Sequence, residues 1–122
     1  MPIPKKGRAV RKLDRAHVAS AVQGFLEKRR PADPAVRANV DLGFRFYNQT
    51  IELFEIRPRW DKKPGKTEHA FAKAIYVKAT GVWKVYWMRG NLEWQRYNPP
   101  NAKSLGAFLK LVDEDKHHCF FG

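Results

Sequence analysis

AKAIYVKATGVWKVYWMRGNLEWQRYN, residues 72–98, contains three of the four tryptophans and three of the four tyrosines of a 122-residue chain. Apolar and polar residues alternate on both sides of the glycine at 81, the pattern of two half-buried strands joined as a hairpin. The loop length decides which side chains share a face, because a one-residue slip sends every side chain to the other side. A two-residue loop at Thr80 and Gly81 would oppose Trp83 with Lys78 and Val85 with Tyr76. A three-residue loop, Ala79 to Gly81 with Gly81 left-handed, opposes Trp83 with Val77, Val85 with Ile75 and Trp87 with Lys73. The second is the better apolar match. Gly90 and Asn91 then turn the chain into a further strand, with Trp94 opposite Trp87 and Leu92 opposite Arg89. On this register Trp83, Trp87 and Trp94 join Ile75, Val77 and Val85 in the core. Tyr76, Lys84, Tyr86, Gln95 and Tyr97 occupy the other face with Ala72 and Ala74. There the tyrosines could stack nucleic-acid bases, or the small alanines could admit a helix.

Upstream, Asp14 suits the cap of a helix, and Val18, Val22, Phe25 and Leu26 recur at helical spacing before a cationic last turn and a proline. This predicts a helix over residues 15–29, with Leu13 and Val18 as a hydrophobic staple. PADP reads as a turn or a short helical start. Val40, Leu42, Phe44 and Phe46 then alternate with polar or small residues, and Asn48 and Gln49 make a two-residue turn. The resulting hairpin pairs Phe46 with Ile51, Phe44 with Leu53, Leu42 with Glu55, Val40 with Arg57, and Arg45 with Glu52. RPRWDKKPGKTEH reads as a polar loop before a third strand at FAKAIYVK. NPPN ends the sheet, and Asn101 or Ser104 caps a last helix whose Leu105, Phe108, Leu109 and Val112 form one stripe. The fold class is therefore α+β: an N-terminal helix, a five-stranded antiparallel meander sheet and a C-terminal helix. Residues 1–12, with five basic residues and no acid, read as a disordered arm. Residues 13–122 read as a single domain.

With 24 Lys and Arg against 12 Asp and Glu, the net charge of +12 attracts polyanions, nucleic acid foremost. One cysteine, Cys119, excludes an intramolecular disulfide and fits a reducing compartment. The sequence holds neither a signal-length apolar run nor a span of bilayer length, and a cytoplasmic location with no membrane partner is expected. Phosphates would be engaged by Lys5, Lys6, Arg8, Arg11 and Lys12 of the arm and by Arg59, Lys62, Lys63 and Lys66 of the long loop. Glu55 and Arg57, spaced by two, put an ion pair on an apolar face, with Arg89 or Arg96 as a second cation. Asp41, Glu52, Glu55 and Lys73 carry the residue types of a metal-dependent nuclease, but strand parity turns Asp41 and Glu52 away from Glu55. His117, His118 and Cys119 are adjacent, a poor spacing for one metal ion, and a tail packed through Phe120 and Phe121 is the better reading. No cofactor or metal site is expected.

LFEIRPRW, then residues 72–98, then LVDEDKHHCFFG together resemble a bacterial family, domain of unknown function 3024. The resemblance rests on Glu55, Arg57, Pro58 and Trp60; on Trp83, Tyr86, Trp87 and Arg89; on Trp94 and Tyr97; and on Asp115, Phe121 and Gly122, where Phe121 stands in place of an expected tryptophan. It covers most of residues 13–122 and implies no activity, cofactor or substrate. The expected function is non-enzymatic binding of nucleic acid, RNA or DNA, with little sequence preference, through the basic residues above and Tyr76, Lys84, Tyr86 and Tyr97. The rival reading is a protein-interaction module that uses the Glu55, Arg57 and Trp60 edge, and a third is the nuclease.

Overall fold

The Asp14 carboxylate accepts hydrogen bonds from the backbone N–H groups of Ala16 and His17, and helix α1 (Arg15–Arg29) starts there. The computed structural model describes residues 13–59, 61 and 63–121. A one-turn helix α2 (Pro34–Arg37), capped by Asp33, fills the PADP segment. Strands β1 (Asp41–Tyr47), β2 (Thr50–Pro58), β3 (Lys66–Val77), β4 (Val82–Met88) and β5 (Trp94–Ala102) follow, then helix α3 (Leu105–Glu114). The sheet is an antiparallel meander in the order β1-β2-β3-β4-β5, so the architecture is the α+β arrangement expected. No helix among the described residues is long and apolar enough to cross a membrane.

The β1–β2 hairpin has the expected register from Phe46 opposite Ile51 to Leu42 opposite Glu55. Asn48 and Gln49 sit at φ 44° and 64°, the mirror-image turn whose twist matches a hairpin. Val40 lies outside β1, which ends in its pairing of Asp41 with Ile56. Arg15 and Arg30 of the α1 region donate to the Phe46 and Leu42 carbonyls at 2.8 and 2.7 Å, occupying acceptors of the edge strand β1.

The β3–β4 register differs from the expected one. Val77 pairs with Val82, Tyr76 with Trp83, Ala74 with Val85 and Ala72 with Trp87. The loop is four residues, Lys78–Gly81, closed by hydrogen bonds from Thr80 and Gly81 N–H to the Val77 carbonyl, with Gly81 at φ 72°. Glycine is left-handed as anticipated, but the extra residue slips the pairing by one and exchanges the faces of β3. β3 also begins at Lys66, earlier than the sequence pattern indicated, and a bulge at Phe71 lies opposite the Leu53/Phe54 step. Met88, not Trp87, faces Trp94. β5 runs through Pro99 and Pro100 instead of stopping there, with a cis Asn98–Pro99 bond. As the outer strand it tolerates residues without an N–H.

Helices α1 and α3 pack on one face of the sheet. Val18, Val22 and Leu26 of α1 and Phe108, Leu109 and Val112 of α3 join Leu42, Ile51, Leu53, Ala72, Ala74, Trp83 and Val85 in one core. The alanines lie fully buried at the centre, where small side chains let helices approach the sheet. Ser104, one of the two candidate caps, accepts from the Ala107 N–H at 3.0 Å and starts α3. α3 ends on Asp115 at φ 45°, whose carboxylate accepts from the Phe120 and Phe121 N–H groups at 2.9 Å each. This folds the tail back: Phe120 stacks on Tyr97 at 4.8 Å and Phe121 on Phe71 at 5.0 Å.

Candidate nucleic-acid interface

Side chains alternate along each strand, so the face opposite the helices follows from the register. Arg45, Glu52, Lys73, Tyr86 and Arg96 are paired in succession and form one row across all five strands. Its β1–β2 end sets one arginine against two glutamates. The Arg45 guanidinium lies 3.6 Å from Glu52, also binds Glu68, and stands 4.6 Å over the Phe54 ring. The Tyr47 hydroxyl donates to Glu52, and this hydrogen bond, followed by burial, holds the Tyr47 hydroxyl above its ordinary pKa. Gly43 lies beneath Phe54: a Cβ there would meet the ring at 2.7 Å, so glycine lets the ring cover the strand.

The β3–β5 end is cationic and aromatic. Lys73 Nζ stands 4.8 Å from the Tyr86 ring centre and 4.6 Å from that of Trp94. The Arg96 guanidinium lies 5.4 Å from the Tyr86 ring centre and donates to the Pro100 carbonyl and Asn101 Oδ1, both at 3.0 Å. Lys84 adds a half-buried cation, one residue pair along β4. Burial lowers the Lys73 pKa, offset in part by the charge of Glu52. Among the described residues, no carboxylate lies within ion-pair distance of Lys73, Lys84 or Arg96. Cations over aromatic rings suit phosphates beside stacked bases.

The residues predicted from sequence are divided by this geometry. Lys84 and Tyr86 lie on the open face, while Tyr76 and Tyr97 belong to the covered one. Tyr76 packs on Trp83 at 5.0 Å, and Tyr97 is buried between Phe120 and His117. Trp94, expected in the core, is on the open face instead, and so are Ile75 and Val77. Lys73, Trp94 and Arg96 share the open face with Lys84 and Tyr86 and were not in the expected binding set. Their signal was the Ala72/Ala74 pair, which marks the helix side of β3 and so turns Lys73 outward.

Lys5, Lys6, Arg8, Arg11 and Lys12 lie outside the described residues, as do Lys62 and Trp60. Arg59 makes a two-pronged pair with Asp61 at 3.0 and 2.6 Å, which lowers the Asp61 pKa and raises that of Arg59. Lys66 donates to the Ala38 carbonyl at 2.9 Å, and Lys63 is exposed. Glu55 and Arg57 do form an ion pair, at 3.0 Å, but with side chains 27% and 50% exposed they sit at the rim. Arg89 is not part of it and lies 3.5 Å from Gln95. The carboxylates weighed for a nuclease are dispersed. Asp41 pairs with Arg30 at 2.6 Å, Glu52 with Tyr47 and Arg45, and Glu55 with Arg57. Among the described residues no group of three His, Cys, Asp or Glu is placed to hold a metal ion.

The family model described as Domain of unknown function (DUF3024) matches residues 10–122, and the chain belongs to that family. No curated protein and no solved structure matches it.

Proposed function

We propose that this member of a family of unknown function binds single-stranded nucleic acid on the helix-free face of its sheet, as a binding domain rather than a catalyst. The observation that carries the reading is the placement of Lys73 over Tyr86 and Trp94 and of Arg96 over Tyr86, with no carboxylate among the described residues within ion-pair distance of either cation. Bases stack on the two rings while the cations, with Lys84, meet the phosphates. Such contacts give affinity with little sequence preference, since every base has a π-face. The net charge of +12 draws the strand in, and the basic residues of the arm and long loop extend the phosphate contacts.

The test is the affinity of the full chain for a short RNA, the matching single-stranded DNA and the duplex, by fluorescence anisotropy. Single strands should bind more tightly than the duplex, whose bases are already stacked and cannot reach the rings. Trp94→Ala should weaken single-strand binding by about 1–3 kcal/mol. Removing residues 1–12 should leave the fold intact and make the dependence of log affinity on log salt shallower. A duplex bound as tightly as the single strands, together with unchanged affinity in Trp94→Ala, would refute the reading.

A further inference from the structure

The row of cations does not stop at the edge of the open face. Around the outer edge of β5 lies a cleft of about 450 Å³, lined by Trp87, Arg89, Arg96, Tyr97, His117 and Cys119 among others. Its size falls in the range of small-molecule sites. Arg96 is common to the cleft and the platform: it lines the cleft at the outer strand β5, and its guanidinium lies 5.4 Å from the Tyr86 ring centre. One of its guanidinium nitrogens is fixed by the Pro100 carbonyl and Asn101, which sets its direction before any ligand arrives. Arg89 contributes a second guanidinium, 3.5 Å from Gln95 Oε1. Among the described residues neither arginine has a carboxylate within ion-pair distance. The half-buried Trp87 indole forms the apolar wall, and His117, held 3.1 Å from the Asn98 carbonyl, closes the floor beside Tyr97.

Two forked cations and an indole in one cleft suit a phosphate attached to a flat heterocycle. The number of cations speaks to the kind of phosphate. An internal phosphodiester carries one negative charge, whereas a monoester carries about 1.5 to 2 near neutral pH. Paired guanidiniums recognise the extra charge and the free oxygens with parallel hydrogen bonds. We infer that the cleft takes a terminal phosphorylated nucleotide of the bound strand, its base against Trp87 and its phosphomonoester between Arg89 and Arg96. The link to a strand rests on the nucleic-acid reading above; the recognition of a nucleoside monophosphate does not, and it can be measured alone.

Cys119 supplies the measurement, since it is the sole cysteine of the chain and lines the cleft. Burial, then the charge of Asp115, pushes its thiol up, so alkylation by iodoacetamide is followed in mildly alkaline buffer. Adenosine 5′-monophosphate should slow alkylation of the full chain by the factor 1 + [L]/Kd, while adenosine at the same concentration should not. Arg89→Gln, an exposed position, should abolish the protection without lowering the melting temperature. Equal rates with the monophosphate and with adenosine would overturn the inference. Equal protection by inorganic phosphate would overturn the assignment of Trp87 to a base. In the companion experiment, oligonucleotides ending in a 5′-phosphate, a 3′-phosphate or hydroxyls are compared for affinity. One phosphorylated end should bind more tightly than the hydroxyl end in the wild type, and Arg89→Gln should remove that difference only. Binding that is indifferent to terminal phosphate but lost in Tyr86→Ala would overturn the cleft and leave the platform standing. Monophosphate protection without oligonucleotide binding would detach the cleft from any strand and overturn its assignment to a terminal nucleotide.

Discussion

The two faces of this sheet are built from the same strands, yet they are chemically opposite. On the covered face Ile51, Leu53, Ala72, Ala74, Trp83 and Val85 are buried against two helices, and the small alanines set how close those helices come. On the open face Ile75, Val77 and Val82 lie beside a cluster of charge and aromatic rings, in which Lys73, Tyr86, Trp94 and Arg96 hold one another through cation–π contacts. Tryptophan occurs on both and means something different on each. Trp83, 3% exposed, is packing, whereas Trp94 keeps a ring available. An aromatic run in a sequence is therefore not one feature but two interleaved ones.

The largest expected effect tests that division. Trp83→Ala should cost about 3–5 kcal/mol of stability in chemical denaturation, the usual loss for a large buried aromatic. Trp94→Ala should cost about 1 kcal/mol, its cation–π contact with Lys73, because the ring is only partly buried. If the two variants lose equal stability, the contrast between the faces fails. Gly43→Ala probes the packed end of the open face. Its Cβ would fall 2.7 Å from the Phe54 ring, a stiff group under Arg45, so a loss of about 1–3 kcal/mol is expected. An unchanged melting temperature would show that Phe54 is not fixed over the strand. Lys84→Gln should leave stability within about 0.5 kcal/mol. It should also reduce the salt slope of nucleic-acid binding by about 1, as expected for one phosphate contact. An unaltered slope would remove Lys84 from the interface. The smallest effect belongs to the rim. Glu55→Gln should lower stability by less than about 1 kcal/mol at neutral pH, since the Glu55–Arg57 pair is partly exposed. The double change Glu55→Met with Arg57→Met should then be close to neutral, and a loss of several kcal/mol would put the pair deeper in the core than described.

Local chemistry made the first half of the chain legible. Asp14 and the spacing of Val18, Val22 and Leu26 specify α1, and Asn48 with Gln49 fixes the β1–β2 register because a two-residue turn admits one pairing. The second half obeys constraints that lie outside its local pattern. Gly81 is left-handed in the four-residue loop Lys78–Gly81, as it would be in the three-residue loop expected, so turn chemistry does not choose the register. Tertiary packing chose it, by requiring Ala72 and Ala74 under the helices. The prolines of β5 read as a strand end for a related reason: only its position as the outer strand makes them tolerable. The candidate site follows the same division: β4 holds Lys84 and Tyr86 on the open face as its alternation indicates, whereas the registers of β3 and β5 put Tyr76 and Tyr97 on the covered face and Trp94 outside the core.

The most direct test maps contact onto the faces by nuclear magnetic resonance. The full chain is titrated with a short single-stranded oligonucleotide, following the backbone amides and the four tryptophan indole N–H signals. The account predicts that shifts concentrate on Lys73, Lys84, Tyr86, Arg96 and the Trp94 indole, while the Trp83 indole and the outward surfaces of α1 and α3 stay still. Shifts confined to the helices, or an unmoved Trp94 indole at saturation, would contradict it.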